Sequence, residues 1–402
     1  MPAALPRGLV ALFACASGLS VANVYYAQPL LDALANDFAI PRAAIGAVVL
    51  ATQLGSALAL LLLVPLGDLW NRRRLMLAQS VLLAVVLTGI SLSTAPMALL
   101  VGMLGAGLLG TAMTQGLIAY AASAAGPEER GRVVGAAQSG VFVGLLLARV
   151  LAGGISDLAG WRAVYASSAM AMLVLATMLW RALPRLPAAA QPMNYLRLLG
   201  SMFDLLRSER VLRVRGTLAM LMFAALNVFW SALVLPLSGP PFGYSHTAIG
   251  AFGLVGALGA LAAARAGRWA DQGLGQRTTA VALVLLLAAW GPLALMGTSI
   301  AALLLGIVLL DLGAQAIHVT NQSMIFTRRP DAHSRMVGVY MLFYATGSGL
   351  GAMATTTVYA TARWTGVCLL GAAVSLAAFA FWIATLERGT PRVRTTCTLP
   401  DG

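Results

Sequence analysis

The sequence predicts an all-α membrane protein of twelve transmembrane helices, arranged as two six-helix bundles with pseudo-twofold symmetry. Three observations carry this: an apolar composition, arginines gathered on alternate interhelical segments, and a second half that repeats the first. Of 402 residues, 60% are apolar and only 10% are charged, whereas a soluble globular domain is nearer half apolar and a quarter charged. Crossing a bilayer core of about 30 Å takes roughly 20 apolar residues. Suitable runs lie near 8–34, 42–66, 75–94, 98–123, 133–156, 162–183, 214–238, 247–267, 277–296, 300–325, 336–360 and 365–387. The first run continues well past the length of a signal-peptide core and eleven more follow, so it is expected to stay in the protein.

The formal charge of +13 comes from 26 basic residues, all of them arginine. With the N-terminus inside, 22 fall in or beside cytoplasmic segments; Arg42, Arg162 and Arg363 lie outside, and Arg149 lies within a span. This is the positive-inside distribution, and it places both termini in the cytoplasm. A nucleic-acid footprint would instead cluster basic and aromatic residues on one soluble module, so no nucleic-acid partner is expected. Cys15 and Cys368 lie in spans and Cys397 in the tail, with no pairing pattern.

The chain divides into an N-terminal bundle (1–183), a linker (184–213) and a C-terminal bundle with its tail (214–402). The linker breaks the apolar pattern with Pro184, Pro187, Pro192 and a run of arginines. Its middle, from Met193 to Leu212, reads as an amphipathic helix suited to an anionic leaflet. The halves repeat at one offset: Asp68 and Asp271, Arg132 and Arg335, Gly135 and Gly338, Gly144 and Gly347, and Trp161 and Trp364 are each 203 residues apart. Repeats of this size place a binding site between them near the membrane midplane.

The loop after span two reads Val64-Pro-Leu-Gly-Asp68-Leu-Trp-Asn-Arg72-Arg73-Arg74, and the loop after span eight reads Gly267-Arg-Trp-Ala-Asp271-Gln-Gly-Leu-Gly-Gln-Arg277. Both resemble the cytoplasmic signature of the major facilitator superfamily, although Val64, Leu69 and Asn71 depart from it in the first copy. The resemblance implies gating: Asp68, Arg72, Arg73, Asp271 and Arg277 would control the cytoplasmic side, each aspartate meeting a helix N-terminus of the other half. Span five carries Gly135, Gly144, Ala148, Arg149, Ala152 and Gly153. It is similar to the antiporter motif of drug:proton exporters, with arginine where that motif has proline. Gly135, Gly144 and Gly153 are expected at close helix contacts. The stretches around Asn23 to Leu31, Glu129 to Gly135 and Pro240 to Ser245 resemble bacterial exporters of drugs and nucleosides. The resemblance thus implies the major facilitator fold and a bacterial cytoplasmic (inner) membrane location, in contact with lipid.

An ion at the centre of a membrane helix costs at least roughly 2.5–3.5 kcal/mol, so each is a functional candidate. Arg149 and Asp311 are the two expected, Asp311 about 16 Å from the outer end of span ten and Arg149 about 10 Å from that of span five. Asp311, Gln315, His318 and Gln322 are spaced 4, 3 and 4 apart and form one polar stripe. The family resemblance implies that spans one, four, seven and ten line the cavity. Asn23, Tyr25, Tyr26, Gln28, Gln115, Asn227, Trp230, Gln315 and Gln322 are then the candidate substrate contacts. Arg149 and Asp311 are expected to pair across the halves, with Asp311, His318 and Arg149 coupling transport to protons. His246 and His333 fall in loops and are assigned no role.

The expected function is proton-coupled export of a small amphiphilic drug or metabolite by alternating access, by a monomer. The alternative is a proton symporter or facilitator for uptake of a small organic solute; a non-transporting membrane sensor is a third reading. No HExxH, Gly-x-Ser-x-Gly or GxxxxGK[ST] motif occurs, so no enzyme, catalytic residue, metal or cofactor is expected.

Overall fold

The computed structural model describes residues 5–68, 70–126, 128–184, 195–326 and 333–386. The N-terminal half contains α1 (Arg7–Tyr25), α2 (Leu31–Asp37), α3 (Gly46–Leu58), α4 (Arg72–Ser91), α5 (Pro96–Ala124), α6 (Arg130–Ala159) and α7 (Trp161–Ala182). The linker contributes α8 (Tyr195–Ser208). The C-terminal half contains α9 (Arg210–Ala232), α10 (Val234–Leu237), α11 (His246–Val255), α12 (Ala257–Trp269), α13 (Gly275–Ala288), α14 (Trp290–Ala294), α15 (Ile300–Phe326) and α16 (His333–Thr385). Among the described residues, ten helical segments are long and apolar enough to cross a membrane, and α11 is a shorter apolar helix.

Several apolar runs break into two helical pieces, and prolines explain three of the breaks. Proline has no N–H, and its ring clashes with the carbonyl four residues back. Accordingly α1 ends at Tyr25 before Pro29, α9 at Ala232 before Pro236, and α13 at Ala288 before Pro292. In the first case the chain passes through a 3-10 turn, Gln28–Leu30, before resuming as α2. α16 is broken at Arg363, whose φ of 53° and ψ of −153° are not helical. The break falls between predicted spans eleven and twelve. The residue 203 positions earlier, Gly160 with φ 82°, separates α6 from α7.

Two helical bundles result. In the first, α1 packs on α5 and α6, α3 on α5, and α4 on α5 and α7; in the second, α9 packs on α16, and α12 and α13 on α15. The bundles meet along two helix pairs, α3 with α16 and α6 with α11. Small residues allow these approaches. A Cβ on Gly144 would collide with the backbone of Gly18 in α1, and one on Gly347 with the backbone of Met220 in α9. A Cβ on Gly153 would collide with the backbone of His246 in α11. Gly135, expected at a close contact, would meet nothing within 4 Å, because it lies near the start of α6, before the crossing with α1.

The linker helix α8 buries Leu198, Met202 and Leu205, spaced to share one helix face. Met202 and Leu205 of this face pack in one cluster with Met336, Val339 and Tyr340 of α16. The Tyr195 hydroxyl donates to the Leu62 carbonyl of the N-terminal half at 2.8 Å, so the linker touches both bundles.

Candidate functional site

A cavity of about 140 Å³ lies between the bundles, lined by Tyr25, Gln28, Arg149, Asn227, Trp230, Asp311 and Gln315 together with apolar groups. The break at Pro29 helps to build it. Because α1 stops at Tyr25, Gln28 sits in a tight turn where its amide reaches both neighbours. Gln28 Nε2 donates to Asn227 Oδ1 at 3.1 Å, and Gln28 Oε1 accepts from Arg149 Nε at 2.9 Å. The hydroxyls of Tyr25 and Tyr344 are hydrogen-bonded across the halves.

Arg149 is 7% exposed and Asp311 8% exposed. The guanidinium carbon of Arg149 lies 4.2 Å from the centre of the Trp230 ring and 5.5 Å from that of Tyr25. Such cation–π stacking supports a desolvated cation by roughly 2 kcal/mol. The Trp230 indole is also a polar neighbour of Asp311. The expected Arg149–Asp311 bridge is not made in this conformation: no nitrogen of Arg149 lies within 4.0 Å of an Asp311 oxygen. The reason is α11. Gly253 makes room for Arg149, whose Nη1 lies 3.7 Å from a Cβ built on that glycine, while a Cβ on Gly256 would collide with Asp311 Oδ2. Each ion is seated over its own glycine, one helical turn apart.

Not all predicted contacts reach this cavity. Asn23 turns into the first bundle, where its Oδ1 accepts from Ser168 at 2.8 Å and its Nδ2 donates to the Leu19 carbonyl. Tyr26 is buried in the apolar core. Gln115 and Gln322 are half-buried and lie outside the cavity lining. His318 hydrogen-bonds the Tyr340 hydroxyl at 2.9 Å and packs edge-on against Phe223 instead of lining the cavity. Conversely, sequence reasoning missed Phe142, Leu145 and Leu146, which line the cavity with Arg149; their spacing of 7, 4 and 3 before Arg149 places them on its face of α6. It also missed Arg215, buried in the second bundle with Nη1 donating to Thr279 Oγ1 at 2.8 Å and to Asn321 Oδ1 at 3.3 Å.

On the face opposite the linker the bundles are pinned together. Thr356 and Thr357 of α16 donate to the Ala43 carbonyl before α3, each at 3.2 Å. His246, at the start of α11, stands between two carboxylates of the first bundle: Nδ1 lies 3.0 Å from Asp157 and Nε2 3.0 Å from Asp32. Asp157 also accepts the backbone N–H groups of His246 and Thr247 at 3.1 and 2.8 Å, which is how a carboxylate stabilises a helix N-terminus. The hydrogen bond to Asp32, more than the opposing burial, raises the His246 pKa above its ordinary value, and Asp157 adds to it.

At the linker face, Arg72 Nε donates to the Gly67 carbonyl at 2.8 Å and its Nη1 to Ser123; Arg73 reaches the Trp180 carbonyl, and Arg277 is exposed. The side chains of Asp68, Asp271 and His333 lie outside the described residues.

Two helical bundles of membrane-length helices, enclosing a cavity with buried ions contributed from both sides, define a multi-pass membrane transporter. The chain belongs to the Major Facilitator Superfamily, whose family model matches residues 12–265 and 216–397. It is 41% identical over 380 residues to the "Uncharacterized transporter YgaY" of Escherichia coli, covering 94% of this chain and 95% of that protein. It is 31% identical over 378 residues to a "Probable transporter" of Streptomyces coelicolor, covering 92% and 86%. Among solved structures, it resembles the nucleoside transporter NupG at TM-score 0.73 and 14% identity, over 94% of this chain and 100% of that one. It also resembles an inward-facing, unoccupied bacterial homologue of the human lysosomal transporter Spinster at TM-score 0.71 and 15% identity, over 96% and 99%. The protein is a secondary active transporter of this superfamily and not an enzyme.

Proposed function

We propose that the protein exports a small amphiphilic metabolite or drug in exchange for protons, as a monomer in a bacterial inner membrane with both termini cytoplasmic. In this reading there are twelve spans in pseudo-twofold halves: α16 supplies two, parted at Arg363, and α11 with α12 supplies one. The pinned face is then periplasmic, and the described conformation is closed to the outside. One observation carries the proposal: Arg149 and Asp311, buried ions from different halves, face one cavity without neutralising each other. An unpaired membrane ion is costly and is retained where function uses it.

Asp311 is the proton-binding group in this scheme. Protonation removes its charge and leaves Arg149 as the dominant ion in the cavity; deprotonation restores the opposite charge. His318, seven residues further along α15 toward the linker face, passes protons inward, and the Asp68 and Asp271 loops gate the cytoplasmic side. Inside-out vesicles carrying a ΔpH-sensitive dye test the coupling. A compound that dissipates the gradient in wild type and not in Asp311→Asn supports proton exchange through Asp311. Equal responses in the two would make Asp311 structural and end this reading.

A further inference from the structure

We infer that the solute is a compact zwitterion of the amino-acid type, an ammonium and a carboxylate on a small apolar body; this rests on the transport reading above. Arg149 and Asp311 present opposite charges to one cavity and do not touch. Two buried ions held apart are each compensated by a ligand carrying both complementary charges. Gly253 in α11 and Gly256, the helical C-cap residue that follows it, fix their spacing. Cβ positions three residues apart on a helix are roughly 5–6 Å from each other. With Arg149 seated over Gly253 and Asp311 over Gly256, Nη1 and Oδ2 are more than 4.0 Å apart and at most about 12 Å apart. An α-amino acid bridging them requires about 8–9 Å, from two charge-assisted hydrogen bonds and its own N–Cα–C unit.

Size and lining narrow the body of the solute. The cavity of about 140 Å³ is near the roughly 150 Å³ void that accommodates benzene. It is well below the roughly 300 Å³ at which drug-sized pockets begin. Phe142, Leu145, Leu146 and Leu226 give it apolar walls, fitting a side chain such as that of leucine. The substrate ammonium and the proton then require the same Asp311 carboxylate, so occupancy by one excludes the other.

The test uses full-length purified protein and thermal melting. L-leucine carries both charges, leucine methyl ester lacks the anion, and N-acetyl-leucine lacks the cation. Leucine is expected to raise the melting temperature saturably, with Kd at least about tenfold tighter than for either derivative. Arg149→Gln should bring leucine level with the ester, and Asp311→Asn should bring it level with N-acetyl-leucine. Each variant's retained response to the derivative that does not need the lost charge shows that it is folded. The inference is overturned if either derivative matches leucine in wild type, or if leucine, methionine and phenylalanine all leave a cooperatively melting wild type unshifted. Vesicle measurements separate the two readings. Leucine binding without proton movement leaves the zwitterion site standing and refutes coupling. Proton movement driven through Asp311 by another compound, with no amino-acid binding, does the reverse.

Discussion

Asp157→Asn should loosen the closed face opposite the linker. The carboxylate accepts four hydrogen bonds from α11, two from backbone N–H groups, one from the Thr247 hydroxyl at 2.6 Å and one from His246 Nδ1 at 3.0 Å. The amide keeps the shape and one acceptor oxygen but loses the charge. Hydrogen bonds to a charged acceptor contribute about 1.5–3 kcal/mol, against about 0.5–1.5 for neutral ones. Asp157 is 25% exposed, and solvent screening reduces the difference. A net loss of about 1–2 kcal/mol remains, which shifts the closed-to-open ratio on that face by roughly 5- to 30-fold. The assay is labelling of Leu146→Cys by a membrane-impermeant maleimide from that face, with Cys15, Cys368 and Cys397 replaced by serine. Asp157→Asn should accelerate labelling by that factor. The same pair sets a pH dependence. His246 has a raised pKa, so its charge-assisted share of the latch is complete below the ordinary histidine range and is lost as pH rises through the raised value. Asp32 and Asp157 are the carboxylates facing it. Relative to an exposed reference thiol labelled at the same pH, wild-type labelling should therefore quicken as pH rises, and His246→Gln should flatten that ratio. Unchanged labelling in Asp157→Asn would refute the latch.

Two further substitutions probe other features. Gly256→Ala places a methyl where Asp311 Oδ2 now lies; substrate-evoked proton movement should fall at least about tenfold, since displacements of about 1 Å carry large rate costs, while the melting temperature changes little. A wild-type flux would show that the carboxylate is not held by this glycine. Arg363→Gly relieves an exposed residue held at φ 53° and ψ −153°. Strain of about 1–3 kcal/mol is removed and about 1 kcal/mol of chain entropy is added, so melting should rise by an amount equivalent to about 1 kcal/mol; a fall would refute the strain.

The helices were legible because a span leaves little freedom: a run of about 20 apolar residues reads the same in any fold. The site was legible only in part, and particular residues show why. Asn23 and Gln28 are both polar and both in the first run, but five residues on a helix turn through about 500°, or about 140° net. Asn23 therefore faces Ser168 while Gln28, in the turn that follows the end of α1, faces Arg149. His318 and Asp311 do share a face, at about 20° net, yet seven residues is about 10 Å of rise. That puts His318 beside Tyr340 rather than in the cavity. Arg149 and Asp311 could be named from sequence, but their separation depends on Gly253 and Gly256, which belong to neither of their helices. The role of His246 is not legible in the sequence because its two carboxylates come from elements 89 and 214 residues away in the chain.

The latch and the cavity are carried by the same helix pair, and this couples them. Arg149 and Asp157 both belong to α6, about 12 Å apart along its axis. Between them Gly153 packs against the backbone of His246, and Gly250 of α11 packs against the backbone of Arg149. A shift of α6 against α11 that breaks the Asp157 contacts also moves Arg149 away from Gly253, and with it the hydrogen bond to Gln28 that continues to Asn227 in the other half. By thermodynamic reciprocity, a cavity ligand that favours the closed face must raise the proton affinity of His246 by the same factor as protonation of His246 raises the affinity for that ligand. A solute holding Arg149 in place therefore strengthens a latch that it never touches, and acid on the latched face tightens the cavity. In an exporter, that relation favours the closed face where protons are abundant and leaves release to the movement that separates α6 from α11.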